Sequence, residues 1–120
     1  RQDVAPDPSI LNPLMEAFTQ AKGFFIAAPE YNGSIPPTLV NAITWLSVEG
    51  EDFRRMFNNK PAIIATHSGG SGQKVLLAMR MQLSHLGVNV LGRELSAKDG
   101  AAVRDASIDD VLKRIAPLLG

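Results

Sequence analysis

The apolar residues Leu14, Met15, Phe18 and Ala21 recur at helical spacing, with Asn12 suited to an N-cap, Pro13 to the first helical position and Gly23 to the stop. The run Gly23-Phe24-Phe25-Ile26-Ala27-Ala28 shows no alternation, which predicts a strand buried on both faces, as in a parallel sheet, ending at Pro29. A second helix opens at Pro36-Pro37 and places Leu39, Ile43 and Leu46 on one face, while Trp45 lies off that face with Thr38 and Ala42. After a charged loop, Glu49 to Lys60, the run Pro61-Ala62-Ile63-Ile64-Ala65-Thr66 predicts a second buried strand. The glycine-rich segment His67-Ser68-Gly69-Gly70-Ser71-Gly72 closes it and passes directly into a third helix with Val75, Met79, Leu83 and Leu86 on its inner face. Gly87 ends that helix before a short strand, Val88 to Leu91, and Gly92 to Ala106 reads mostly as loop. Ser107 with Asp110 three positions on resembles a capping box for a closing helix that carries Val111, Leu112, Ile115 and Leu119.

Helices alternating with strands demand right-handed crossovers and a parallel sheet covered on both faces, an α/β fold. Ligands of such sheets bind beyond the carboxyl ends of the strands, where the loops Pro29 to Pro36 and His67 to Gly72 fall. The length of 120 residues fits one domain, residues 1–120. The chain starts at Arg1 without an initiator Met, which reads as a cut or processed start. Zero cysteines exclude a disulfide framework, a thiolate zinc site and a cysteine nucleophile, and point to the cytoplasm. Twelve basic residues balance twelve acidic ones, so no global field draws nucleic acid or an anionic membrane. The longest strongly apolar stretch, Phe24 to Ala28, is far short of the ~20 residues that span a bilayer.

The glycine-rich loop lets backbone N–H groups approach a flat or anionic ligand, but it is neither G-x-G-x-x-G nor a Walker loop, which disfavours nucleoside triphosphates. In the other loop Asn32-Gly33 by itself signals a hairpin, yet a helix follows, so its tolerance of positive φ is assigned to something else. The stretch Pro29-Glu30-Tyr31-Asn32-Gly33-Ser34-Ile35-Pro36, continuing through Leu39, Asn41, Ala42, Ile43, Trp45, Leu46 and Ser47, resembles the signature of the NAD(P)H-dependent FMN reductase family of quinone, azo-dye and chromate reductases.

That resemblance implies a flavodoxin-like three-layer sandwich with FMN on the carboxyl ends of the strands. Pro29, Glu30, Tyr31, Asn32 and Gly33 would border the isoalloxazine ring, with Ser68, Gly69 and Gly70, and His67 as a neighbour, against its other part. It also implies hydride transfer from NAD(P)H through flavin to a quinone-like or other small acceptor, without a metal. Thr44 stands where the family usually has Asp, and Val40 where Lys is common. The family's opening strand and Gly-Ser-x-Arg phosphate loop have no counterpart here, so the N-terminal strands are absent from this chain. The alternatives are a flavodoxin-like electron carrier and a flavin-free partner subunit.

Trp45 is assigned to a subunit contact in a homodimer or homotetramer, and Tyr31 to flavin contact. His67 reads as a structural residue rather than a general acid, and His85 as helix-end electrostatics. Arg54, Arg55 and Lys60 read as a solvated loop face, with a grip on the phosphate of NADPH as the other possibility for the arginines.

Overall fold

The computed structural model describes residues 7–48, 54–70 and 72–120. Helix α1 (Pro8–Gln20) begins well before the expected Pro13, because the Asp7 carboxylate accepts the Ser9 N–H at 2.9 Å and Pro8 takes the first helical position. Pro13 therefore sits inside the helix on its exposed side. The same hydrogen bond holds the Asp7 carboxyl below its ordinary pKa. Gly23 is not the stop, which falls at Ala21; a Cβ on Gly23 would lie 2.6 Å from Leu119 Cδ2, so close packing explains this glycine.

Strand β1 (Phe24–Ala27) pairs in parallel with β2 (Pro61–Ser68), Phe24 against Ala62 and Ala27 against Ala65. On the other side of β2 lie β3 (Asn89–Val90) and β4 (Leu95–Lys98), both parallel to it. β4 falls in the stretch read as loop, since the chain between the two strands is irregular. Arg80 holds that break, donating to the Leu91 carbonyl at 2.8 Å and to Glu94 Oε2 at 3.0 Å. The remaining helices are α2 (Pro37–Val48), α3 (Gln73–His85) and α4 (Asp105–Ile115), followed by a 3-10 turn, Ala116–Leu119. No capping box starts α4: Ser107 lies within it and takes a hydrogen bond from Arg93, while Asp110 pairs with Arg93 and Arg114.

The alternation of side chains along β2 divides the core into two layers. Ala62 and Ile64 face α1, α2 and α3 with Leu11, Ile43, Leu46, Met79 and Leu83, while Ile63 and Ala65 meet Val111 and Ile115 of α4. The three-layer sandwich around a parallel sheet is as the sequence implies. β2 is buried on both faces, but β1 is not: α4 covers β2 and β4, and Phe25 is left 53% exposed. Among the described residues β1 has its one strand partner in β2, so its other edge is unpaired.

Within the segment read as a charged loop, Met56 and Phe57 are fully buried. Lys60 is not simply solvated either. Its Nζ donates to the Phe18 and Thr19 carbonyls of the last turn of α1 and lies 5.6 Å from the centre of the Phe24 ring. Partial burial lowers its pKa below the ordinary lysine value. Residues 49–53 of that loop lie outside the described residues. No described helix is long and apolar enough to cross a membrane.

Candidate functional site

Both loops lie at the carboxyl ends of β1 and β2, and hydrogen bonds from β2 fix where the first one leaves the sheet. The Ala28 N–H donates to Ala65 O at 3.0 Å, and the buried Thr66 hydroxyl donates to Ala28 O at 2.6 Å. Beyond Pro29, Tyr31 and Ser34 exchange two backbone bonds of 2.9 Å, with Asn32 at φ 51° and Gly33 at φ 76°. This is the hairpin turn that Asn-Gly encodes, nested between a strand and a helix. The positive φ values serve the turn itself, which corrects the sequence reading.

The turn presents Asn32 and Gly33 to the first turn of α3. A Cβ on Gly33 would lie 3.2 Å from Lys74 Cδ. Glu30, Asn32, Gly33, Gly72, Gln73 and Lys74 line the resulting cleft of about 330 Å³. Ser68 connects the two loops, donating to Glu30 Oε1 at 3.4 Å and accepting the Gly70 N–H at 3.2 Å. Among the described residues other than its chain neighbours, no atom lies within 4 Å of where a Cβ on Gly70 would stand, and Tyr31 is 55% exposed. Among the described residues lining the cleft, Lys74 is the cation, and it stands in the first turn of α3.

Of the residues singled out in the sequence, Glu30, Asn32 and Gly33 line the cleft; Ser68 reaches it through its bond to Glu30, while Pro29, Tyr31, Gly69 and Gly70 are not among its lining residues. His67 is not a satisfied core histidine. Its side chain is 61% exposed, and its Nε2 lies 3.5 Å from Asp99 Oδ1. Gly72, part of the glycine-rich loop, lines the cleft as well, together with Gln73 and Lys74, which the sequence reading did not single out. Lys74 carried a usable signal: a cation in the first turn of a helix opposes the macrodipole and calls for a reason outside the helix. Arg54 and Arg55 are exposed and do not line the cleft.

Gly72 ties the site to the fold. It holds φ 72°, and a Cβ there would approach Thr66 Cγ2 to 2.4 Å, displacing the side chain that anchors Ala28. Gly72→Ala is expected to cost about 2–3 kcal/mol, from a left-handed alanine at about 1–2 and a disturbed buried hydrogen bond at about 1. Urea unfolding measures this, and a loss below about 0.5 kcal/mol would contradict the packing described.

The family model described as NADPH-dependent FMN reductase matches residues 1–102. The quinone reductase of Escherichia coli (strain K12) is 35% identical over 88 residues, which are 72% of this chain and 45% of the relative. This chain thus spans less than half the length of the curated relative it matches. Among solved structures, the flavoenzyme NAD(P)H:(acceptor) oxidoreductase FerB from Paracoccus denitrificans superposes with a TM-score of 0.72 at 18% identity, covering 98% of this chain and 74% of that one. An oxidoreductase from Corynebacterium diphtheriae gives 0.65 at 22% identity, covering 92% and 58%. At these identities the structures establish the shared fold.

Proposed function

This chain belongs to the NADPH-dependent FMN reductase family, and from that membership we propose that it forms the ring-binding part of an FMN-dependent oxidoreductase acting from NAD(P)H on a quinone-like or other small acceptor. The observation that carries the reading is the meeting of the Asn32-Gly33 turn and the Gly72-Gln73-Lys74 start of α3 around one cleft at the carboxyl edge of a parallel sheet, with Ser68 tied to it through Glu30. FMN, when bound, would supply the two-electron chemistry between dinucleotide and acceptor. Pro29, Glu30, Tyr31, Asn32 and Gly33 would hold one side of the ring, and Ser68, Gly69 and Gly70 the other. Ser68 keeps Glu30 and Gly70 in place, so the polar groups are ordered before a ligand arrives.

We read residues 1–120 as one flavodoxin-like unit, and a phosphate-gripping strand and loop of the family's kind would pair at the edge of β1 that is unpaired among the described residues. With that segment joined, the protein should oxidise NAD(P)H with a quinone in a ping-pong pattern, giving parallel double-reciprocal plots. Intersecting lines would require both substrates to be bound together. An electron carrier of the flavodoxin type would show no steady NAD(P)H oxidation.

A homodimer or homotetramer is proposed to use the groove between α1 and α2, lined by Ile10, Leu14, Thr38, Ala42 and Trp45. Trp45 is half-buried against the core and forms part of that groove rather than standing alone in water. Trp45→Glu should shift the assembly toward monomer in light scattering. A monomeric unmodified protein at micromolar concentration would remove this assignment. The cytoplasmic address is proposed on the zero cysteines.

A further inference from the structure

The cleft holds a carboxylate whose hydrogen bonding is incomplete. Glu30 is half-buried in the lining and stands two residues after Ala28, whose N–H and carbonyl are both bonded to β2. Its Oε1 accepts the hydroxyl of Ser68 at 3.4 Å, and that oxygen, on a side chain buried at 9% exposure, accepts the Gly70 N–H at 3.2 Å. A buried group thus orients the carboxylate, through a bond long enough to leave most of its acceptor capacity unused. Oε2 has no hydrogen-bond partner among the described residues. Lys74, in the same lining, forms no ion pair with it within 4 Å.

In the open cleft, water satisfies this carboxylate. A flat ring that enters displaces the water, and covering an ionised carboxylate without a replacement donor is costly. A carboxylate only accepts, so the ring itself must bring the N–H. The oxidised isoalloxazine ring has one N–H, the imide N3–H between two carbonyls, and its other polar ring atoms accept. Donors for those carbonyls are present in the same lining, in the Lys74 ammonium and the side-chain amides of Asn32 and Gln73. The lining therefore pairs one acceptor-only group with several donors, the complement of an edge that carries one donor and two acceptors.

We propose that the Glu30 carboxylate accepts the imide N–H of the flavin ring and makes this cleft selective for rings that carry one. The proposal rests on the flavin reading above. A benzoquinone has no N–H, so the same carboxylate disfavours the acceptor in the place of the flavin.

The test uses lumiflavin, which has the ring without ribityl chain or phosphate, and 3-methyllumiflavin, in which a methyl group replaces the imide hydrogen. Flavin fluorescence measures the binding of each to the unmodified protein, Glu30→Gln and Glu30→Ala. The unmodified protein should bind lumiflavin roughly ten- to a hundredfold more tightly than its methylated form, the range for a hydrogen bond to a charged group. Glu30→Gln, whose amide oxygen still accepts, should keep a preference of several-fold, and Glu30→Ala should bind the two rings within about twofold of each other. Backbone amide signals of β2 and α3 that stay in place in both variants show that the fold is intact. Equal binding of the two rings by the unmodified protein, or a preference that survives in Glu30→Ala, would overturn the proposal and leave the flavin reading standing. If neither lumiflavin nor riboflavin binds the unmodified protein, the flavin reading fails and the proposal falls with it.

Discussion

Residues 1–120 alone should bind FMN no more tightly than riboflavin, and at least about a hundredfold more weakly than the same residues joined to the opening strand and phosphate loop of a family member. Each charge-assisted hydrogen bond to a phosphate contributes about 1.5–3 kcal/mol, so two or three absent bonds remove on the order of 3–9 kcal/mol. The described lining of the cleft offers a turn, the first turn of α3 and one lysine. The free edge of β1 and the half-exposed Phe25 mark where a further strand and its covering helix would pack. Equilibrium dialysis of the two forms measures the difference. Tight stoichiometric FMN binding by residues 1–120 would show that the phosphate is held from within them.

Phe57→Ala should destabilise the fold by about 3–5 kcal/mol, the range for removing a fully buried phenylalanine and leaving a cavity. Phe57 is entirely shielded from solvent and packs among the rings of Phe18 at 5.8 Å and Phe24 at 6.1 Å, which themselves lie 5.1 Å apart. That cluster joins α1 to the start of β1, and the Lys60 ammonium closes it by bonding the last carbonyls of α1. The effect should be read as a shift in urea midpoint at unchanged slope. Phe57→Leu should retain most of the stability, because it keeps most of the apolar volume. A loss below about 1 kcal/mol for Phe57→Ala would place the ring outside the core.

The same region shows where local sequence patterns stop being informative. Met56 and Phe57 are adjacent, lie among Arg54, Arg55, Asn58 and Asn59, and follow neither helical nor strand periodicity, so their burial is set by helix and strand partners distant in sequence. β2 and α3 were legible because each carries enough apolar residues at one period to define its buried faces, Ile63 and Ile64 on the strand and Val75, Met79 and Leu83 on the helix. β4 was not, since Leu95 alone is buried in Leu-Ser-Ala-Lys and its pairing depends on β2 already being in place. At the start of the chain two plausible caps competed, Asp7-Pro8 and Asn12-Pro13, and the earlier pair won because Leu11 is needed in the core.

The site divides along similar lines. Glu30, Asn32 and Gly33 are legible as cleft residues because strand ends of a parallel sheet collect loops at their carboxyl edge. The helix after Asn32-Gly33 hides the hairpin from a local reading, but the turn needs only the four residues from Tyr31 to Ser34 to close. Lys74 reaches the cleft through the start of α3, a placement that depends on tertiary structure.

The central claim, that the two carboxyl-edge loops hold a flavin ring, is tested most directly by adding riboflavin to residues 1–120 and following backbone amide signals. The ring without its phosphate isolates these loops from the phosphate-gripping segment. The signals of Glu30, Tyr31, Asn32, Gly33, Ser68, Gly69 and Gly70 should shift together along one saturation curve, with the outer face of α4 unmoved. Shifts scattered over the surface, or confined to the groove between α1 and α2, would contradict the account.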